Sequence, residues 1–241
     1  MPRFYCPQPL AIGATIVLPE ALAHHVLVLR LAPGAGITLF NGDGGEYTAS
    51  ISSLEKKRVH AEIHAFTARE VELPYALTLA QALPEASKMD WIIEKAIELG
   101  AAGIVPLAAQ RCVVRLNPER AAKRHAHWQG IIVSACEQSG RNRLASLAAL
   151  SDYPQWVAQA AVQQRIILSP RADTSLANWA SKQAPQAVTL VIGPEGGFTF
   201  EEEASALRHG ALALAMGPRI LRTETAGLAA LATLNALWER S

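Results

Sequence analysis

Two segments combine glycine with charged side chains in a way that suits a bound ligand. The first is Ile192-Gly193-Pro194-Glu195-Gly196-Gly197-Phe198-Thr199. The second is Met216-Gly217-Pro218-Arg219-Ile220-Leu221-Arg222-Thr223-Glu224-Thr225-Ala226. Glycine lets backbone approach a ligand closely, and a helix that follows such a loop offers free N–H groups. A third, shorter segment, Leu168-Ser169-Pro170-Arg171, has a similar place after an apolar run. Neither long segment fits GxGxxG, and no GxxxxGK[ST] loop is present, which argues against ordinary dinucleotide binding and against ATP hydrolysis. Taken alone, the GPEGG run reads as a tight strand-to-helix turn. Two such loops, the second rich in Arg and Thr, favour a ligand site.

A second chemical signal is charge. Between Arg111 and Arg143 the chain carries seven Arg or Lys and two acids, with His125 and His127 besides, although the net charge is only +1. A local basic stretch in a near-neutral chain suits a defined polyanion site; a solvated helix face is the alternative. The three cysteines, Cys6, Cys112 and Cys136, are scattered, with no CxxC or Cys/His ligand spacing. Neither a disulfide framework nor a metal site is expected.

These residues need elements to hold them. Up to about residue 72 the sequence reads as short strands, at 3–6, 15–18, 36–40, 46–52 and 58–66, with a helix over 21–29. The Asn41–Gly45 run is a strong turn signal. Such spacing suggests a small β-barrel. Beyond Pro74 strands and helices alternate: strands at 77–83, 104–108, 165–168, 188–192 and 212–216, and helices at 88–99, 118–138, 175–182, 200–209 and 223–239. Ser87 is the expected N-cap of the helix at 88–99, and Gly100 its stop. Alternation of this kind predicts a parallel sheet with helices on both faces, and ligands of open α/β sheets sit beyond the carboxyl ends of strands. The 241 residues, half of them hydrophobic, suffice for one large domain or two modest ones. No apolar run reaches the roughly 18 residues of a membrane span, and the first residues lack a signal-peptide apolar stretch, so a cytoplasmic protein is expected.

The segment Lys88-Met89-Asp90-Trp91-Ile92-Ile93-Glu94-Lys95-Ala96-Ile97-Glu98-Leu99-Gly100 resembles the first motif of the SPOUT methyltransferases. Ile192–Thr199 resembles their second motif and Gly217–Ala226 their third. Ser134-Ala135-Cys136-Glu137-Gln138-Ser139-Gly140-Arg141-Asn142 narrows the likeness to the ribosomal RNA small-subunit methyltransferase E family, and it covers essentially the whole chain. Met216 stands where an aliphatic residue is more usual, a mild departure that keeps size and apolarity. The resemblance implies an α/β fold: a PUA-like β-barrel for RNA binding over 1–72, and a SPOUT domain over 73–241 whose parallel sheet is flanked by helices and whose C-terminus forms a trefoil knot. Strand–helix order alone would suggest an ordinary doubly wound sheet, because true knots are nearly absent from proteins.

The resemblance further implies SAM-dependent methylation of uridine N3 in 16S rRNA of the small ribosomal subunit, by a homodimer with each active site at the subunit interface. S-adenosyl-L-methionine would be held by Leu168, Ile192, Gly193, Pro194, Glu195, Gly196 and Gly197, and from the second loop by Met216, Gly217, Ile220, Leu221, Arg222, Thr225 and Ala226. Core packing is the other reading of Ile220 and Leu221. Uracil N3 carries a weakly acidic proton, so transfer needs the proton removed or the developing oxyanion stabilised. Arg222 is the candidate for the oxyanion, unless it pairs with Glu224 or Glu195. Glu224 is the candidate base, unless it anchors Arg222 or caps the last helix with Thr223. RNA contacts are expected from Arg111 and Arg115, and from Glu137, Gln138, Arg141 and Asn142, which could instead serve helix capping and dimer contacts. In the barrel Arg3 and Arg30 are the expected RNA clamps. A ribose 2′-O methyltransferase and an RNA-binding protein without catalysis are the alternatives.

Overall fold

The computed structural model describes residues 1–55 and 58–239. Its packing divides the chain into two compact units, Met1–Glu72 with Cys136–Leu144, and Leu73–Ala135 with Ala145–Ser241.

In the first unit, strands β1 (Arg3–Tyr5), β2 (Thr15–Val17), β3 (Gly36–Phe40), β4 (Glu46–Glu55) and β5 (Arg58–Thr67) form one sheet in the order β1-β3-β4-β5-β2. Only β1 and β3 run parallel. Register shifts at Thr48/Ala49 and Ile51/Ser53 bend the long β4–β5 hairpin, as bulges do. Helix α1 (Glu20–Val28) turns Leu22, Ala23 and Val26 into the core with Phe4, Ile37, Leu39 and Ile63. The β3–β4 turn uses Gly42, Gly44 and Gly45 at positive φ, and a Cβ on Gly45 would stand 2.4 Å from the Phe66 ring. Arg30, at φ 53, ends α1 in the left-handed conformation that glycine usually supplies.

The second unit is a seven-stranded parallel sheet of β6 (Leu77–Ala82), β7 (Gly103–Ala108), β8 (Ser146–Leu147), β9 (Ser151–Asp152), β10 (Gln164–Leu168), β11 (Val188–Ile192) and β12 (Leu212–Leu214). The order is β12-β10-β11-β6-β7-β8, with β9 also against β7. The helices are α2 (Lys88–Glu98), α3 (Pro118–Ser139), α4 (Tyr153–Ala158), α5 (Leu176–Ala180), α6 (Phe200–Arg208) and α7 (Thr223–Trp238). Strands β12, β10 and β11 are neighbours, so the three loops singled out above leave the sheet side by side.

Helix α2 buries Met89, Ile92, Ile93, Ala96 and Ile97, one stripe at helical period, and Gly100 (φ 81) ends it. Ser87 does not cap it: its side chain accepts no helix N–H, and the carbonyl of Ser87 takes the Asp90 N–H instead. Thr199 and Glu202 close a reciprocal capping box at α6. Helix α7 packs on α2, α5, β6 and β11. Gly227 lets it lie close to the sheet, since a Cβ there would stand 3.0 Å from Leu79 Cδ1 and 3.3 Å from Ile192 Cγ1. Strands β8 and β9 and helix α4 were not expected from sequence. Among the described residues, no helix is long and apolar enough to cross a membrane.

Candidate active site

A cleft of about 520 Å³ opens at the carboxyl ends of β10, β11 and β12, lined wholly by residues of the second unit. Leu168, Ser169, Pro170 and Arg171 enter it after β10, and Ile192 through Phe198 after β11. After β12 it receives Met216, Gly217, Arg219 and Ile220, then Leu221, Arg222, Thr223, Glu224 and Ala226. Every expected cofactor residue lines this space except Thr225, which is exposed in the first turn of α7 and gives its N–H to the Arg222 carbonyl.

The glycines form a cradle, closely packed at Gly193 and open at Gly197 and Gly217. A Cβ on Gly193 would lie 3.1 Å from the Phe198 nitrogen and 3.2 Å from Gly197 Cα, all backbone. Gly197 and Gly217 adopt φ of 66° and 104°, conformations in which other residues are strained. The loop is tied at several points. The Gly197 N–H donates to the Pro194 carbonyl at 2.8 Å, Thr223 Oγ1 donates to the Gly193 carbonyl at 2.5 Å, and Arg111 Nη1 donates to the Gly196 carbonyl at 2.8 Å.

Charge is denser here than sequence suggested. Lys88, Arg171, Arg219 and Glu203 join the expected residues. Lys88 Nζ meets Glu195 Oε1 at 2.7 Å, and the Glu85 N–H donates to the same oxygen at 3.1 Å. Burial pushes the Glu195 carboxyl up, but the bonds from Lys88 and Glu85 and the Lys88 charge outweigh it, so its pKa falls below the usual carboxylate value. The Lys88 ammonium is raised, mainly by its hydrogen bond to Glu195. Arg171 pairs with Glu203. Arg219 and Arg222 make no ion pair among the described residues, so the alternative pairing of Arg222 with Glu195 or Glu224 is not formed. Arg222 is exposed and N-caps α7 through its backbone, without a side-chain cap bond. Glu224 is half-buried, and its Oε2 is buried without a partner. The signal for Lys88 was present in sequence, at the head of the amphipathic α2 helix; for Arg171 and Glu203 there was only proximity to a loop.

Other expected residues lie elsewhere. Arg111 borders the cleft, whereas exposed Arg115 donates to the Gln110 carbonyl at 2.7 Å and lines a separate hollow beside Glu201 and Tyr153. Arg3, Arg30, Glu137, Gln138, Arg141 and Asn142 belong to the first unit. There Arg3 bonds Glu46 and, at 2.7 Å, Asn142 Oδ1, and fully buried Asn142 donates to the Arg69 carbonyl at 2.7 Å. Arg141, 4% exposed, forks onto Glu72. Glu137 accepts the Tyr5 N–H at 2.9 Å, and burial outweighs that bond and raises its carboxyl. Direct RNA contact by Arg3, Arg141 or Asn142 would require exchanging these bonds. Arg30 and Gln138 are exposed. No group of three or more His, Cys, Asp or Glu able to hold a metal occurs among the described residues.

The cleft has the apolar walls and the open backbone edges that an adenosyl ligand needs. Leu168, Ile192, Met216 and Leu221 supply apolar walls and the glycine cradle admits a flat ring; of the three carboxylates, Glu195 is paired with Lys88 and Glu203 with Arg171.

Comparison with known proteins agrees with this geometry. Residues 71–235 match the model of an RNA methyltransferase domain, and residues 18–63 that of an RNA methyltransferase PUA domain. The ribosomal RNA small subunit methyltransferase E of Bacillus subtilis is 32% identical over 90% of this chain and 87% of its own length. That of Synechocystis is 34% identical over 95% and 75%. The crystal structure of the Neisseria gonorrhoeae ribosomal RNA small subunit methyltransferase E bound to S-adenosyl methionine superposes with a TM-score of 0.91, at 40% identity, over 99% of this chain and 98% of that one. With an RNA methyltransferase model matching most of its length and relatives more than 30% identical along nearly all of it, the chain belongs to the ribosomal RNA small subunit methyltransferase E family.

Proposed function

We propose that the protein binds S-adenosyl-L-methionine in the glycine cleft and methylates N3 of a uridine in 16S rRNA. The observation that carries this reading is the pairing, beside one glycine cradle, of an Arg222 without an ion pair and a Glu224 with an unpartnered carboxylate oxygen among the described residues. When bound, the cofactor supplies an electrophilic methyl on sulfur. The backbone of residues 193–197 and 216–221 holds it in place, and Leu168, Ile192 and Leu221 flank its ring. Arg222 donates to a uracil carbonyl oxygen and stabilises the charge that grows there as the N3 proton leaves. Glu224 accepts that proton, directly or through a water. Positioning supplies much of the rate, since attack must be in line.

Arg111 and Arg115 contact RNA phosphates, which place the substrate without reading its sequence. Arg30 and Gln138 offer exposed polar groups on the first unit for the same purpose. Arg3, Glu137, Arg141 and Asn142 serve by holding the Cys136–Leu144 segment. The trefoil knot and an interface-sharing homodimer belong to the same proposal, as does action in the cytoplasm.

The test is incubation with methyl-labelled S-adenosylmethionine and either small subunits or free 16S rRNA from cells lacking the corresponding gene, followed by nucleoside analysis. Label in 3-methyluridine at one site is expected. Label on ribose or another base would overturn the chemistry assigned to Arg222 and Glu224.

A further inference from the structure

We propose that Gln81 and Thr223 form a buried positioning relay, which fixes the glycine loop after β11 and turns Arg222 and Glu224 toward the cleft. Its catalytic consequence rests on the methyltransferase reading; its geometry does not. Gln81 lies near the end of β6, fully buried, and is paired in register with Ile192 of β11. Its Nε2 donates to Thr223 Oγ1 at 2.9 Å and to the Ala82 carbonyl at 2.9 Å. A hydroxyl has one proton to give. Thr223 Oγ1 sends it to the Gly193 carbonyl, so the relay runs one way: amide, hydroxyl, carbonyl.

Three elements meet in this chain: the end of β6, the first turn of α7 and the first loop residue after β11. Anchoring the Gly193 carbonyl sets the plane of the Gly193–Pro194 peptide, where the loop begins. Holding the Thr223 side chain inward leaves its neighbours, Arg222 and Glu224, lining the cleft. The Lys88–Glu195 pair holds the same loop, but both side chains are about 30% exposed, at 30% and 28%, and water competes for them. Gln81 and Thr223 are 0% and 6% exposed, so water competes less for their bonds. Gln81 Oε1 is buried without a partner. A methionine of similar length would fill the space without that burden, so the contribution of the amide is its donor.

The test compares Thr223→Val, Thr223→Ser, Gln81→Met and the double variant Gln81→Met/Thr223→Val. Two readouts are used: amide hydrogen exchange of residues 193–199, and steady-state methylation of small-subunit rRNA. Thr223→Val is expected to speed loop exchange at least tenfold and to lower kcat by tenfold or more with the KM for RNA unchanged. Thr223→Ser, which keeps the hydroxyl, should stay within threefold of wild type in both. The double variant should be no worse than the more impaired single variant, because both side chains act through one relay. Wild-type loop exchange in Thr223→Val, failure of serine to rescue, or strictly multiplicative losses in the double variant would overturn the proposal. If the unaltered protein transfers no methyl group, the function reading fails, and hydrogen exchange still judges the relay.

Discussion

Replacing Gly227 by alanine sets two ordinary effects against each other, and the structure decides the sign. In a helix interior, alanine is favoured over glycine by about 1 kcal/mol. Against that, the new Cβ would stand 3.0 Å from Leu79 Cδ1 and 3.3 Å from Ile192 Cγ1. Leu79 is 0% and Ile192 2% exposed, both in the central strands of the sheet, so neither can swing into solvent. Overpacking a close-packed core costs about 1–3 kcal/mol. Taking about 2 kcal/mol for this site leaves a net loss of about 1 kcal/mol after the helix gain. For a chain of this length that lowers Tm by about 2–4 °C. Ile192 also lines the cleft, so the strain should reach the cofactor, weakening S-adenosylmethionine binding several-fold. Thermal unfolding and titration calorimetry on purified Gly227→Ala provide the assay. A rise in Tm, the result helix propensity alone would give, refutes the close-approach argument.

Further outcomes follow from the site and its supports. Arg222→Ala should lower kcat by about 10²–10³ while calorimetric affinity for S-adenosylmethionine stays unchanged; near-normal turnover would rule out the oxyanion role. Arg111→Ala and Arg115→Ala should each weaken rRNA binding and reduce the slope of log affinity against log salt by roughly 0.7–0.9, measured by filter binding across a salt series. Glu46 and Glu137 should respond to pH with opposite sign. The bonds that Glu46 receives from Arg3 and Asn142 outweigh its burial and depress its folded pKa. Its stabilisation is therefore present at neutral pH and is lost as pH falls through that depressed value. Burial raises Glu137, so its ionised form costs stability above the raised pKa, a cost relieved as pH falls. Urea unfolding at pH 7 should show Glu46→Gln destabilised and Glu137→Gln equal to or more stable than wild type.

The two long loops were legible because each combined glycine, proline and a following helix signal, and because strand–helix alternation placed them at carboxyl ends. Helix α2 was legible from its stripe of Met89, Ile92, Ile93, Ala96 and Ile97. Strands β8 and β9 were not, since two residues apiece show no alternation. Ser87 failed as a cap because the helix-start signal counts residue type, while its φ of −92° and ψ of 9° are not the extended backbone that a side-chain N-cap uses. Among site residues, Arg222 and Glu224 stood out by charge in a glycine loop. Arg171 and Glu203 did not, because their place depends on how separate elements converge. Gln81 was invisible for a related reason: a polar residue inside an apolar strand reads as an interruption until its partner, 142 positions later, is known.

The Cys136–Leu144 segment packs with Met1–Glu72, and this matters while the chain is being made. When residue 72 has been synthesised, Glu72 still lacks Arg141 and Glu70 lacks Arg143, and Arg3 lacks its bond to Asn142. At the usual pace of synthesis those 72 further residues take about 4–14 s. Through that interval Glu70 and Glu72 have no arginine partner from the 136–144 segment. Vectorial folding of this protein is therefore a closing of its first part by its middle, and a ribosome stalled before residue 141 would hold a β unit still missing the arginines that complete it.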